Sequence, residues 1–475
     1  MKRLLLSLTA IAITCNFAQA QNRIGTGSVD DLYQTYCASC HGAKLEGGQG
    51  SSLVDGVWKH GGSDAEITKS IIEGYPEVGM VPWKGVLTDD QTRSLVIYIR
   101  EQTQLAAASP TEKVDPEGTV FTTELHNFTM EKVTEVEDTL WSMAFMPDNS
   151  ILLTQRDGPV WRHQDGENHL IEGTPEVWQN GQGGMLEVAL HPDYETNGWI
   201  YLGFSENIGA QEDDKDAGMT AIVRGRIKND KWVDQEDIFH VPGKFHTSAG
   251  VHFGTRFVFD DGYLFFGIGD RGRQDMAQDI RRPNGKIHRI HDDGRIPKDN
   301  PFVKKRGAYK SVWSYGQRNP QGLDIDPSTG LLWETEHGPR GGDEVNVIRP
   351  GVNYGWPEIT YGMNYNGTPM TDETAREGME QPKHYWVPSI AVCGIDFYEG
   401  NKFSEWTGDL LVSGMASQEL HRLVIQDGKV VQDEIILKGI NRVRDVLSGP
   451  DGYIYVSLNT KGPNYGELYR IKPAR

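Results

Sequence analysis

Two cysteines and a histidine near the start of the chain form the pattern C-x-x-C-H, at Cys37, Cys40 and His41. In this pattern both thiols form thioether bonds to the vinyl groups of a haem, and the histidine binds the iron. A thioredoxin-like redox pair would need a βαβ context, and a zinc site would need a second ligand pair that the sequence does not offer. The motif therefore predicts covalently bound haem c.

A sixth iron ligand is expected from Met80, which lies in the Gly/Pro-containing loop EVGMVPWKG, with His60 as a rival ligand. A thioether ligand raises the iron potential and makes the haem a good electron acceptor. After this loop, residues 88–91 (TDDQ) form a capping box that predicts the start of a helix. Its apolar residues recur at helical spacing: Leu95, Val96, Tyr98 and Ile99. Residues 28–102 thus resemble a small all-α class I cytochrome c domain, and residues 103–118, which lack apolar periodicity, are interpreted as a linker.

The first 20 residues have the features of a cleavable secretory signal. A basic start, Met1-Lys2-Arg3, precedes an apolar run over residues 4–13, and small residues follow at 18–20. The alternative is a membrane anchor, but the run is shorter than the roughly 20 residues needed to span a bilayer. We expect a periplasmic protein, with Cys15 removed together with the signal.

Charge excludes some classes of partner. The formal net charge of the 475-residue chain is −20, and it becomes −22 without the signal, because residues 1–20 carry Lys2 and Arg3 and no acidic residue. Such a surface repels nucleic acid and anionic membranes. No later segment is apolar enough for an integral membrane span, so the expected partners are a small-molecule substrate and a downstream periplasmic electron acceptor.

Beyond the linker, a short apolar strand, an Asp/Gly/Asn turn and a second apolar strand recur six times. Such repeats are typical of a six-bladed β-propeller, with a β-sandwich as the alternative. We expect the propeller to occupy residues 119–475. The copies begin at residues 143, 188, 255, 321, 393 and 444.

Several loops between these strands carry residues suited to chemistry. His252 lies between glycines ahead of a strand, Arg318-Asn319 precede a proline turn, and Arg442 and Arg444 have strand-like i, i+2 spacing. The segment TEHGPRGGDEVNVI is rich in oxygen donors. Since propeller loops converge on one face, these residues can form one site although they are distant in sequence.

Seven segments of the chain together resemble, in content and order, the soluble PQQ-dependent glucose dehydrogenase and aldose sugar dehydrogenase family, over residues 125–473. The segments are GVHFGTRFVFDDG, GIGDRG, IPKDNPF, YGQRNPQGLDIDP, EHGPRGGDEVN, GVNYGWP and RVRDVLSGPDG. The resemblance implies a propeller that binds pyrroloquinoline quinone (PQQ) and calcium and oxidises the C1 hydroxyl of aldoses to lactones.

Matching positions imply individual roles. His252 would be the base that removes the hydroxyl proton while hydride passes to the quinone, and Asp270 would orient its ring. Arg318 would stabilise negative charge on the quinone oxygens. Further cofactor contacts would come from Gln182, Asn319, Arg442 and Arg444, and calcium would be bound by carbonyls of Gly338 and Pro339, with Asp343, Glu344 and Tyr354 matching an additional calcium site.

The chain departs from the family at two places. Val251 stands where the soluble glucose dehydrogenases have an aspartate, and the stretch LLVSGMASQELHRL lacks the lysine that they supply to the cofactor. Trp386 is a candidate roof over the substrate or else a core residue. Cys393 is most simply a small buried apolar residue.

If haem and quinone are both present, the haem takes electrons singly from the reduced quinone, held near by the linker. Two rival functions remain from the residues alone. A calcium-dependent propeller hydrolase or lactonase would explain the oxygen-rich loop, and a non-catalytic binding propeller would leave only electron transfer by the haem.

Overall fold

A computed structural model describes residues 27–107, 114–210, 216–460 and 465–474. The predicted signal, residues 1–20, and part of the predicted linker lie outside these ranges. Among the helices of the described ranges, none is both long and apolar enough to span a bilayer.

The N-terminal domain is helical, and sequence-encoded caps start its main helices. Ser28 and Ser63 each form a capping box with the acidic residue three positions on, and Thr88 forms the predicted one with Gln91. The helices are α1 (Val29–Tyr36), α2 (Ala38–His41), α3 (Asp64–Glu73) and α4 (Asp89–Ala107).

Helices α1, α3 and α4 enclose one apolar core, in which Leu32, Ile67 and Leu95 are each at most 4 % exposed. Helix α4 continues to Ala107, past residue 102, where we placed the end of the domain. The first five residues of the predicted linker are therefore helical, because TQLAA contains no residue that stops a helix.

The second domain consists of six antiparallel sheets. One combines both ends of the domain, in the order β1-β2-β25-β24-β23, and the other five each use four consecutive strands. The N-terminal strands of the domain are β1 (Phe121–Thr122) and β2 (Asn127–Val136); the first blade has β3 (Leu140–Phe145), β4 (Ile151–Gln155), β5 (Val160–Gln164) and β6 (Glu167–Leu170); the second has β7 (Met185–Leu190), helix α5 (Tyr194–Asn197), β8 (Ile200–Ala210), β9 (Asp216–Lys228) and β10 (Lys231–Phe239). The third has β11 (Phe257–Asp260), β12 (Tyr263–Ile268), β13 (Lys286–His291) and β14 (Val312–Tyr315); the fourth has β15 (Pro320–Ile325), β16 (Leu332–Glu336), β17 (Asp343–Ile348) and β18 (His384–Trp386); the fifth has β19 (Val392–Phe397), β20 (Leu410–Gly414), β21 (Glu419–Gln426) and β22 (Lys429–Lys438); the sixth is completed by β23 (Arg442–Ser448), β24 (Ile454–Asn459) and β25 (Gly466–Pro473).

These sheets are the blades of the predicted propeller. The first strands of neighbouring blades contact each other around the ring, and β23 closes it against β3. Each of the six sequence repeats corresponds to the first two strands of one blade. The apolar clusters lie between adjacent blades, so each blade completes its core with its neighbour's residues.

Candidate functional site

The predicted propeller residues meet at one face of the ring. Gln182, His252 and Arg318 lie just before the first strands of blades 2, 3 and 4, and Arg442 opens the first strand of blade 6. Asp270 and His337 follow the second strands of blades 3 and 4, whose ends lie at the same face because the strands are antiparallel. The site residues on blades 2, 3, 4 and 6 therefore belong to one site.

His252 and Asp270 form a buried imidazole–carboxylate pair. The Nδ1 atom of His252 lies 2.6 Å from Oδ1 of Asp270, which has no exposed surface. Burial, with the positive charge of Arg318, lowers the pKa of His252 below its ordinary value. Burial alone would raise the pKa of Asp270, but the hydrogen bond and charge of His252 lower it. The arrangement fits a neutral imidazole that donates Nδ1–H to the carboxylate and leaves Nε2 free to accept a proton.

Neighbouring residues fix this pair. Asp270 accepts a bond from the indole N–H of Trp356 through Oδ2 (2.8 Å) and one from the Gly272 amide through Oδ1 (2.7 Å). Arg271 donates to the backbone carbonyl of Val251, next to His252. His252 itself has φ +56°, a left-handed conformation that only a tightly held loop maintains in a non-glycine residue.

The two predicted amide side chains also reach this loop. Gln182 accepts a bond from the backbone N–H of His252 through Oε1 (2.8 Å), and Asn319 accepts one from Gly254 through Oδ1 (3.3 Å). Both residues thus hold the His252 loop, which the sequence did not show.

Arg318, Arg442 and Arg444 give the site its positive charge. In the described part of the chain none of the three guanidinium groups has a carboxylate partner, although that of the buried Arg256 pairs with two. The Nε atoms of Arg318 and Arg444 are buried without a hydrogen-bond partner. Burial lowers the pKa of Arg444 and of Arg442. Buried guanidinium groups without counter-ions are costly, and a planar polycarboxylate would satisfy them.

His337 is a site residue that we missed, although it lies in the EHGPRGG segment. It is half-buried beside Arg318, which donates to its carbonyl (3.2 Å), and its Nδ1 lies 3.4 Å from the Asn319 amide nitrogen. Burial, with the nearby charges of Arg318 and Arg444, lowers its pKa to about 3. By distance and angle its Nε2 has no hydrogen-bond partner among the described residues.

The predicted calcium ligands Gly338, Glu344 and Tyr354 line one small cavity of about 10 Å³, together with Arg318 and Glu336. A cavity of this size holds about one water molecule or ion. The Asp343 side chain, in contrast, accepts from the Gly338 and Val392 amides, and the Tyr354 hydroxyl donates to Val347. Those two side chains are thus engaged in structural bonds.

Two carboxylates, Glu336 and Glu344, line this cavity, and the buried Glu334 lies next to them: oxygens of all three lie 3.2–3.5 Å from the amide nitrogen of Asn346. Burial raises the pKa of all three, and repulsion between carboxylates adds to it: Glu334 and Glu336 are raised by their glutamate neighbours, and Glu344, raised to about 7, by Asp343. Oε1 of Glu334 has no partner. Within the described residues no three such groups form a ready metal cage, but the oxygen donors and uncompensated charge fit a hard cation such as calcium in chemistry.

In the helical domain, His41 is oriented for iron. Its Nδ1 lies 2.8 Å from the Ser51 carbonyl, which leaves Nε2 for the metal, and Cys37 and Cys40 are free thiols. Met80 lies on a loop pinned by paired backbone bonds to Tyr75. The residues present therefore fit a covalently bound haem. The ring of the rival ligand His60 stacks on the Tyr75 ring, with the two ring centroids 3.7 Å apart.

Two other expectations are resolved. Trp386 does not roof the site: it lies on the outer strand of blade 4 and donates to Asp433 of blade 5 (2.9 Å), so the core interpretation is correct. Cys393 is buried as expected, and it faces the site, with Sγ 4.0 Å from Arg444. In the blade-5 stretch that lacks the family lysine, Met415 lies 3.8 Å from Arg442.

Comparison with known proteins agrees with this geometry. Residues 137–470 match the family model described as glucose/sorbosone dehydrogenase. The chain belongs to this family. Residues 27–99 match the model for the cytochrome c oxidase, cbb3-type, subunit III. The protein is thus an oxidoreductase with a propeller dehydrogenase domain and an N-terminal cytochrome c domain, as the sequence predicted.

Individual relatives support this assignment. The aldose sugar dehydrogenase of Escherichia coli is 42 % identical over 70 % of this chain and 90 % of its own. Its apo crystal structure superposes with a TM-score of 0.68 at 40 % identity, covering 73 % of this chain and all of that one. Quinoprotein glucose dehydrogenase B of Acinetobacter calcoaceticus is 28 % identical over 68 % of this chain and 83 % of its own. The PQQ-bound aldose sugar dehydrogenase of Streptomyces coelicolor shares the fold, with TM-score 0.58 at 24 % identity over 73 % of this chain and 98 % of that one.

Proposed function

We propose that this protein oxidises the C1 hydroxyl of aldose sugars to lactones with PQQ, and that the electrons pass to its own haem c. The observation that carries the proposal is the cluster Arg318, Arg442 and Arg444 beside the His252–Asp270 pair: among the described residues their guanidinium groups have no carboxylate partner. A planar tricarboxylate cofactor supplies the missing negative charge. Relatives named for aldoses and for quinone dependence support the same substrate and cofactor.

The proton path follows from the hydrogen bonds. His252 accepts the C1 hydroxyl proton at Nε2, because Nδ1 is committed to Asp270. The Asp270 carboxylate then stabilises the imidazolium that forms. When bound, PQQ supplies the acceptor for the C1 hydrogen and its electron pair, and the adjacent Arg318 guanidinium stabilises the resulting negative charge.

Calcium is proposed at the cavity lined by Gly338 and Glu344, whose oxygen donors suit a hard cation. A haem held by Cys37, Cys40 and His41, with Met80 as sixth ligand, would receive electrons one at a time. We further propose export through the signal of residues 1–20 and a downstream periplasmic acceptor.

The test is reduction of the haem by sugar. We would load the full-length protein with PQQ and calcium, add glucose without mediator, and follow the haem absorption spectrum. The wild type reduces its haem. His252→Ala keeps the haem but loses this reduction, whereas His240→Ala, which changes a histidine 38 % exposed on blade 2, retains it. Retained reduction in His252→Ala would overturn the assigned base.

The same preparation separates the rival functions. A calcium hydrolase would act on lactones without PQQ, and a binding propeller would show no turnover with an artificial electron acceptor.

A further inference from the structure

The cytochrome domain packs directly on blade 4 of the propeller. Met363, from the segment between β17 and β18, has no exposed surface and belongs to the apolar core of the helical domain. Ile97 of α4 packs on Gly341: a Cβ atom added to Gly341 would lie 3.4 Å from Cδ1 of Ile97. The two domains therefore share one continuous core at this contact.

Polar contacts flank that shared core. Arg340 donates from Nη2 and Nε to the two carboxylate oxygens of Glu101, at 2.6 and 2.9 Å, and both side chains are less than a quarter exposed. About two helical turns before Glu101 on α4, Arg93 donates to the Thr371 carbonyl. Paired two-point bonds of this kind fix orientation as well as distance.

A short turn of the propeller is held between the domains. Met363 pairs through its backbone with Arg340 (2.9 and 3.0 Å), and Gly367 accepts a bond from the Val29 amide of α1 (2.8 Å). Both stems of the turn at residues 364–367 thus contact the helical domain, and bonds within the turn, from Gly367 to Asn364 and from Asn364 to Thr368, fix its shape. Tyr365 lies at the tip.

The tip of this turn reaches the site. The Tyr365 hydroxyl lies 3.4 Å from Nη2 of Arg318, and its ring centroid lies 5.7 Å from the guanidinium carbon. Tyr365 is nevertheless 70 % exposed, so little else on the propeller surface holds it. The two stems that carry Tyr365 are the segments in contact with the docked helical domain.

We propose that the cytochrome domain is a structural part of the sugar-oxidising site: by docking on blade 4 it sets the turn at residues 364–367 and so holds Tyr365, a positioning residue, against Arg318. This inference rests on the proposed function for the role of Arg318. It adds that loss of docking impairs the site even when an artificial acceptor bypasses the haem.

The test uses the full-length protein with Arg93→Gln and Glu101→Gln combined, which removes one charge from each polar contact and leaves the net charge unchanged. The matched control is Lys69→Gln with Glu73→Gln, an ion pair on α3 that is more than 60 % exposed. Losing charge-assisted bonds should speed amide hydrogen exchange over residues 363–368 by about tenfold or more. The control should stay within about twofold of the wild type on the same scale.

Kinetics with glucose and an artificial acceptor provide the second readout. The interface variant should raise KM more than it lowers kcat, with an unchanged haem spectrum. Tyr365→Ala should have the same effect, and Tyr365→Phe, which keeps the ring over Arg318, should restore most of it. Because both changes act through one contact, combining Tyr365→Ala with the interface variant should add nothing further.

Additive effects, or unchanged exchange and KM in the interface variant, would overturn the inference. Failure of the proposed function looks different: the wild type itself would not oxidise sugar with PQQ, while the exchange experiment would still report whether docking orders the turn.

Discussion

The substitution Asp270→Asn tests the proposed proton path most directly, because all three groups that bond this carboxylate are donors. His252 Nδ1 and the Gly272 amide point at Oδ1, and the Trp356 indole points at Oδ2. An asparagine must place its NH₂ group against one side. In either orientation a buried donor then faces another donor.

The two orientations have different costs. If the NH₂ faces Trp356, His252 keeps its tautomer but loses a charged acceptor, worth about 1.5–3 kcal/mol, so kcat falls by about 10- to 150-fold. If the NH₂ faces His252, the ring must accept at Nδ1 and carry its proton on Nε2, where it can no longer act as a base. The loss then approaches about 10⁴-fold.

The pH dependence of the rate gives an independent test, because the direction in which the pKa of His252 moves can be worked out. The bond and charge of Asp270 raise the pKa of His252 against the larger effect of burial, so removing them lowers it further. The acidic limb of the rate profile should therefore move to lower pH while the maximal rate falls. Steady-state kinetics with PQQ, calcium and an artificial acceptor measure both, with Asp275→Asn, an exposed change on the same blade, as control. A variant within about twofold of wild-type kcat, with an unmoved acidic limb, would refute the reasoning.

Three further outcomes follow. Arg444→Lys should weaken PQQ binding by about 10- to 150-fold in an equilibrium titration, since it loses the planar two-point contact; exposed Arg281→Lys should not, and equal affinities would contradict the assigned contact. The raised pKa of Glu344 means that the folded state binds its proton more tightly than the unfolded state does, so without calcium the free energy of unfolding should fall as pH rises from about 4.5 through about 7. Calcium should therefore raise the thermal midpoint most at the alkaline end of this range. A calcium effect that does not change with pH would argue against this cluster as the site. Met80→His should lower the haem potential in a redox titration without changing sugar oxidation by an artificial acceptor, and an unchanged potential would remove Met80 as ligand.

The fold was predictable because its signals are local. Each repeat carries two apolar strands and a turn with Asp, Asn or Gly, and this is enough to locate the first two strands of every blade. The outer strands carry weaker patterns, since one face is solvated, and Trp386 shows the consequence: no periodicity tells an outer-strand tryptophan from one at the mouth of the ring.

The site was only partly predictable. His252, Arg318 and the arginines of β23 lie in segments whose order the family shares, so their convergence could be inferred. What each side chain bonds depends on packing across blades, which is why Gln182 and Asn319 were assigned to the cofactor without their hold on the His252 loop. Tyr365 had no signal at all, because its importance comes from a contact with another domain.

The relation between the domains changes the physical account of electron transfer. A haem on a free tether meets the quinone by diffusion within the volume that the linker allows, and linker length then sets the rate of encounter. The shared core around Met363 and the Glu101–Arg340 pair instead fix the cytochrome domain on blade 4. Undocking would expose that core and unpair both charges, so the open state is rare and the docked geometry sets the distance. In the proposed electron transfer, the ordering cost of docking is then met once, on folding, and the same contacts would hold Tyr365 at the proposed sugar site.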